Sequence, residues 1–374
     1  MTKSSNDVYF KQLNGIRFIA VFLVLLDHWL VPILPIPLGH LGVVIFFVLS
    51  GFLITRILFL NADEIQQTKS SAWPKIIRFI YRRSLRIFPI YFILLFIGLI
   101  FNISNFKELW PWLISYTPNL YIMIKGQWLG TWDHLWSLAV EEQYYLIFPY
   151  FIFFLNKKNY VSLFIIMLSL GMLSRLYFYI FQTHIVKENM YMINEVNTIS
   201  VLDAFGIGGF LAYLYHYRSN LLRKILFNHY VTLLTLCFYI LVLYLSYSSV
   251  YTYDNIYYIV LRTLLASVFS FFLIGNSIIS NSNKLNLLLE NRVIIYLGSI
   301  SYGIYLYHNL VFNYYHLNGN TIWGYLSNNF TYLNSLNSES IILKFVINFL
   351  LLISIASFSW FYIEKPINKY KNRL

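Results

Sequence analysis

Residues 13–31, LNGIRFIAVFLVLLDHWLV, make an apolar run long enough to cross a bilayer as a helix, with Arg17, Asp27 and His28 set into it. An ionisable side chain at membrane depth is costly, so it faces a cavity or a partner and marks a function by default. Arg17 and His28 are eleven positions apart. That is about three helical turns, which leaves them within roughly 20° of each other around the helix and about 16 Å apart along it. They share a face, one toward each leaflet. Two roles fit that placement. The pair are membrane anchors, with Arg17 snorkelling to the headgroups and His28 capping the far end, or they face a cavity or a partner and carry a function.

The rest of the chain also belongs in a membrane. Of its 374 residues 59% are hydrophobic and 11% are charged, well below the quarter or so of charged residues in soluble domains. The mean hydropathy is +0.62. The formal charge of +12 does not point to nucleic acid, because the Lys and Arg fall between apolar spans and read as determinants of topology. The single cysteine, Cys237, lies within an apolar run, so an intramolecular disulfide is excluded and the residue reads as a small core side chain. No cleavable signal is expected in the first span, which carries charge and runs into VPILPIPLGH without a small-residue cleavage pattern.

Apolar windows of about 20 residues recur near 13–34, 41–60, 87–103, 134–155, 159–181, 198–217, 229–249, 256–280, 293–314 and 340–363. The expected fold is an all-α, polytopic membrane bundle of about ten transmembrane helices, one membrane domain over 1–374. Basic residues mark alternate connections: Lys3 and Lys11; Lys69, Lys75, Arg78, Arg82, Arg83 and Arg86; Lys157 and Lys158; Arg218, Arg223 and Lys224; Lys284 and Arg292; and Lys365, Lys369, Lys371 and Arg373. Lys and Arg accumulate on the cytoplasmic side, so both termini are expected in the cytoplasm. The connections at 32–40, 104–133, 182–197, 250–255 and 315–339 hold few basic residues and are expected outside. No GxSxG, P-loop or internal repeat is present, which leaves the bundle and its short loops for any chemistry. On this topology Arg17 lies toward the cytoplasm, whereas Asp27, His28, His134, Asp203 and His308 lie toward the outer face.

In TWDHLWSLAVEEQYY, Asp133 is placed to cap a helix, and His134, Ser137 and Glu141, at spacings of three and four, line one face. Glu142 is rotated about 100° from Glu141, and Trp136 suits an interfacial aromatic belt. Acids favoured by the helix dipole explain part of the pattern, but two adjacent carboxylates a turn or two into an apolar helix exceed what capping needs. GSISYGIYLYH aligns Ser301, Tyr305 and His308, with Tyr302 beside them; interhelical hydrogen bonding and a reacting site both remain open. Asp203 precedes AFGIGGFLA, where Ala204, Gly208 and Ala212 repeat in a close-packing pattern. Asp203 itself is a helix cap or an acceptor-site contact. RFIYRRSLRIFP reads as a positive-inside or lipid-contacting stretch, or as a nucleotide site in which Arg82 and Arg86, on one face, join Arg17 in holding phosphates. In WFYIEKPI, Glu364 and Lys365 sit at a membrane boundary before Pro366.

Taken in order, Arg17-X10-His28, GVVIFFVLSGFLIT, RRSLRIFP, HLWSLAVEEQYY, the stretch from Asp203, SYGIYLYH and IEKP together resemble the acyltransferase-3 family of multipass membrane acyltransferases. The resemblance covers essentially the whole chain. It implies a multi-pass O-acetyltransferase of the bacterial cytoplasmic (inner) membrane. Its acetyl group would come from cytosolic acetyl-CoA and go to a hydroxyl of a surface glycan or lipid-linked saccharide at the outer face. Some members carry a fused SGNH hydrolase-like domain; none is expected over 1–374. Acetyl-CoA enters as donor substrate, and no permanently bound cofactor, metal or nucleic acid is expected.

The roles that follow from the resemblance begin with His28 as the base that takes the hydroxyl proton, its ring oriented by Glu141 or Asp27. Arg17, Arg82 and Arg86 are the expected acyl-CoA site, and Trp136, Ser137, Glu142, Asp203, Tyr302 and His308 the expected acceptor or supporting residues. Ser137 is the alternative acyl carrier. A succinyl or other short acyl group is an alternative donor group. A polytopic transporter or flippase is the alternative of a different class, although the repeat symmetry and broken helix pairs it calls for are not visible.

Overall fold

Long apolar runs with no water to satisfy their backbone must close their hydrogen bonds internally, and here they do so as helices. The structure, a computed structural model, describes residues 9–30, 34, 36–181, 190–226, 230–247, 255–279, 284–316 and 341–372. Lys3, Val31 and Arg373, and much of the connections at 182–197, 250–255 and 315–339, lie outside the described residues. No strand occurs among the described residues. The helices are α1 (Gln12–Trp29), α2 (Leu38–Thr68), α3 (Trp73–Phe101), α4 (Phe106–Ile114), α5 (Pro118–Lys125), α6 (Leu135–Phe154), α7 (Tyr160–Phe181) and α8 (Met190–Val196). They continue as α9 (Leu202–Tyr217), α10 (Ser219–Ile225), α11 (Tyr230–Tyr247), α12 (Arg262–Ile279), α13 (Lys284–Leu289), α14 (Arg292–Ser299), α15 (Ser301–Asn309) and α16 (Ile341–Ser359).

Among the described residues, six helical stretches are long and apolar enough to cross a membrane: Leu38–Thr68, Trp73–Phe101, Lys157–Phe181, Ile199–Tyr217, Tyr257–Ile279 and Ile341–Lys371. A bent pair, Ser219–Ile225 with Tyr230–Leu245, makes a seventh if taken as one span. That is fewer than the ten windows, for local reasons. Arg17, Asp27 and His28 lower the apolar content of α1, as Glu141 and Glu142 do for α6. The window at 293–314 is broken, because Ile300 leaves helical geometry at φ −99° and ψ 6° and separates α14 from α15. Ser299 Oγ donates back to the Tyr296 carbonyl at 2.6 Å, which also accepts the Ile300 N–H at 3.2 Å at the break. The window at 87–103 belongs to a longer helix, α3, which draws the arginine cluster into a helix instead of a connection.

The connection at 104–133 is folded as well. It forms α4 and α5, and fully buried Trp132 donates its Nε1–H to the Ile103 carbonyl at 2.9 Å. Asp133 makes no capping hydrogen bond to α6.

α2 lies at the centre, against α1, α6, α9 and α12. Its contact with α9 is backbone on backbone: a Cβ at Gly208 would overlap the Val48 carbonyl, and one at Gly51 the Phe205 carbonyl. Ala204 and Ala212 are fully buried, so the small-residue repeat acts in packing, as its spacing predicts. α7 is tied to α9 by a buried ion pair, Arg175 Nη2 to Asp203 Oδ2 at 2.6 Å, with both side chains almost wholly enclosed. Leu233, Leu234, Phe238, Leu170 and Leu350 stand exposed on the outside of the helices, a surface suited to lipid.

Candidate active site

Helices α1, α2, α3, α6 and α15 line a cavity with about 810 Å³ of empty volume. One group of its walls is cationic: Arg17 from α1, with Arg83 and Arg86 from α3. Arg17 donates to Asn14 Oδ1 at 2.8 Å, and the Arg83 guanidinium lies over the rings of Phe79 and Tyr145, 5.7 Å and 5.5 Å from their centroids. Among the described residues none of the three has a carboxylate within ion-pair distance. Ser50 and Glu141 share this space. Ser50 donates to Glu141 Oε1 at 2.9 Å and Tyr145 OH donates to Oε2 at 3.0 Å. Two neutral hydroxyls on one carboxylate leave three guanidinium groups available to an anion, and their planar forks suit phosphate.

Here the structure departs from the expected acyl-CoA residues. Arg86 faces the cavity as anticipated, but Arg82 is exposed and donates its Nε–H to the Lys371 carbonyl at 3.2 Å, away from the cavity. Arg83 takes its place. The two lie about 100° apart around the helix. The rotation of α3 is set by its buried stripe, Ile76, Phe79, Ile87, Ile90 and Leu94. At about 100° per residue Arg83 falls within that stripe and Arg82 outside it, so the face that α3 buries against its neighbours distinguishes them.

Another part of the wall is made by Ser137 of α6 with Ser301, Tyr302 and Tyr305 of α15. Tyr302 OH donates to the Ile87 carbonyl at 2.9 Å, tying α15 to α3. Tyr305 OH donates to the His134 carbonyl at 2.8 Å and lies 2.6 Å from Ser137 Oγ. Directly behind this wall three imidazoles gather. The His308 ring is 4.9 Å from those of both His28 and His134, and 5.4 Å from that of Tyr305. His308 is fully buried and His134 nearly so, whereas His28 is half-buried.

The ring partners of His28 differ from the expected carboxylate. His28 Nδ1 lies 2.9 Å from His308 Nε2 and 3.1 Å from Asn309 Oδ1. Glu141 is held with the arginines instead. Asp27 turns toward the backbone N–H groups of Leu38 and Gly39, where α2 begins. Neither carboxylate is hydrogen-bonded to the His28 ring among the described residues.

The remaining expected residues divide. Asp203 is closed off by Arg175 and accepts from the Ala204 N–H at 3.0 Å. Trp136 packs edge-on to Phe47, with ring centroids 6.1 Å apart. Glu142 is next to the cavity helix face but does not line the cavity, and its Oε1 has no partner among the described residues. Asn309, Arg83 and Arg175 are the residues that reading the sequence missed. Asn309 follows His308 directly in SYGIYLYHN, and only its contact with α1 gives it meaning.

The arrangement thus offers a cation-lined cavity and, behind a shared hydroxyl wall, an imidazole of moderate exposure. The acyltransferase-3 family model, described as an acyltransferase domain, matches residues 10–364. A "Putative O-acetyltransferase" of Staphylococcus aureus (strain COL) is 28% identical over 353 residues, covering 84% of this chain and 52% of that protein. "Peptidoglycan O-acetyltransferase OatA" of Listeria monocytogenes serovar 1/2a is 25% identical over 326 residues, 80% of this chain and 49% of its own length. "O-acetyltransferase OatA" of Staphylococcus aureus (strain NCTC 8325 / PS 47) is 26% identical over 401 residues, 96% of this chain and 57% of its own length. The chain spans about half the length of these curated relatives. No solved structure matches it. With helices α1 to α16, from the cationic cavity to the imidazole cluster, falling inside the matched region, this chain belongs to the acyltransferase-3 family.

Proposed function

We propose that this protein is a multi-pass O-acetyltransferase that takes acetyl from cytosolic acetyl-CoA and delivers it to a hydroxyl of a cell-surface carbohydrate. In this reading the protein sits in the bacterial cytoplasmic membrane with ten crossings, both termini inside, and 1–374 as one membrane domain. The alternate placement of Lys and Arg supports that topology. The observation that carries the function is the run from three arginines without a carboxylate at ion-pair distance among the described residues, through one cavity, to a wall with His28, His134 and His308 behind it. The guanidinium groups hold the phosphates of the donor, and the thioester arm lies along the cavity toward Ser137 and Tyr305. The names of the OatA relatives support a glycan acceptor.

At the far end His28 acts as general base. A ring nitrogen takes the hydroxyl proton as the sugar oxygen attacks the thioester carbonyl. The tetrahedral intermediate then expels the sulfur, which leaves with the bonding electrons and receives the proton from the imidazolium. Base catalysis of this kind contributes about 10² to 10⁴ in rate.

The test is acetyl transfer by purified protein in proteoliposomes, with acetyl-CoA on the arginine side and a glycan acceptor on the other, read by the mass of the acceptor. The parent protein transfers acetyl and His28→Ala does so at least about 100-fold more slowly. Undiminished transfer by correctly inserted His28→Ala overturns the reading. Acceptor movement across the bilayer without acylation replaces it with a flippase.

A further inference from the structure

We propose that His308 and Asn309 are positioning residues that hold the proton of His28 on Nδ1, so that Nε2 is the atom that takes the acceptor proton. This inference rests on His28 being the base. Two independent contacts carry it. First, His308 Nδ1 lies 2.6 Å from the Tyr305 carbonyl of its own helix. A carbonyl only accepts, so His308 Nδ1 carries a hydrogen, and in its neutral form its Nε2 carries none. That bare Nε2 is the atom 2.9 Å from His28 Nδ1, so the proton between the two rings belongs to His28. Second, the oxygen of Asn309, also an acceptor, lies 3.1 Å from the same Nδ1. Both neighbours demand a donor at one nitrogen.

A neutral imidazole with its proton on Nδ1 has its lone pair on Nε2. Among the described residues Nε2 has no hydrogen-bond partner, and His28 is half-buried, not enclosed. The device corresponds in logic to a carboxylate that fixes the tautomer of a catalytic imidazole, but the acceptors are a second imidazole and an amide. Adjacent positions on one helix supply both. α15 ends at Asn309, where a π-helical stretch, Leu310–His316, begins, and turns of this kind are frequent at functional sites.

In the proposed step Nε2 binds the hydroxyl proton, the sugar oxygen forms its bond to the acetyl carbon, and the sulfur leaves with its electron pair and takes that proton. Nδ1–H stays bonded to His308 and Asn309 throughout. The titratable groups facing His28, among the described residues, are Asp27 on its own helix, His308 on α15 and His134 before α6; Glu195 bears on Asp27.

The experiment measures kcat, KM for acetyl-CoA and the pH profile of transfer in proteoliposomes for His28→Ala, His308→Leu, His308→Gln and Asn309→Asp. His308→Leu removes an acceptor and lowers kcat about 10²-fold, with KM for acetyl-CoA changed less than about twofold. His308→Gln, whose amide oxygen replaces Nε2, recovers at least about tenfold of that loss. Asn309→Asp puts a charged acceptor on Nδ1–H and favours the imidazolium. A base works only when neutral, so the acid limb of kcat moves to higher pH, by about one unit. Wild-type kcat and acid limb in both His308→Leu and Asn309→Asp, with His28→Ala inactive, overturn this inference alone. Equal losses in all position-308 and position-309 variants with an unmoved acid limb assign the pair to packing and overturn it as well. Full activity of His28→Ala removes the underlying reading first.

Discussion

Two groups of arginines inside this bundle have opposite surroundings. Arg175 is bonded to both carboxylate oxygens of Asp203 and to the Ser200 carbonyl, and Arg262 reaches Glu195 at 3.2 Å and the hydroxyl of Tyr258. Arg17, Arg83 and Arg86 open onto the cavity with no carboxylate at ion-pair distance among the described residues. A buried charge must be answered somewhere. In the first group the chain answers it, and the guanidinium becomes part of the fold. In the second no side-chain carboxylate answers it among the described residues, and in the proposed reading the anionic donor does.

The largest effect that distinguishes the groups is on folding. Arg175→Met strands Asp203 in the interior and lowers stability by about 3–5 kcal/mol, and adding Asp203→Leu restores most of the loss. Unfolding of detergent-solubilised protein measures both, and an unchanged stability in Arg175→Met would break the comparison at its paired end. Next in size is Arg83→Ala, which removes charge-assisted contacts worth about 1.5–3 kcal/mol to the donor. Donor kcat/KM then falls roughly 10- to 150-fold with the unfolding midpoint unmoved. Arg17→Ala behaves alike, and Arg17→Lys keeps part of the activity because it retains charge and loses the fork. The smallest effect belongs to Arg82→Gln, within about 0.5 kcal/mol in both assays. If Arg82→Gln proves worse than Arg83→Ala for the donor, α3 presents the other face to the cavity and the unpaired group has been misassigned.

Residues on a single helix were the easiest to read. Arg17 and His28 lie on α1, and one ends at the cavity and the other at the imidazole cluster, as their spacing demands. Glu141, Ser137 and Tyr302 line the same cavity, but Glu141 was expected beside His28 and sits with Ser50 and Tyr145. Asp203 left a choice between cap and acceptor contact; its partner turned out to be Arg175, 28 positions earlier, inside an apolar helix where a single charge gave no hint of its mate. Pairings of this sort depend on which helices meet, and no local pattern carries that.

Composition and period by themselves determined that this chain is a helical membrane protein, and that α1 carries a cation and an imidazole on one face about three turns apart. Those are properties of neighbouring residues, so they survive in a linear string. Only the tertiary structure decided that Arg83 turns inward in place of Arg82, and that Asn309 meets His28 across 281 positions of chain. The rotation of each helix is the sum of many apolar contacts with distant segments, and a turn of about 100° is enough to exchange one arginine for the next.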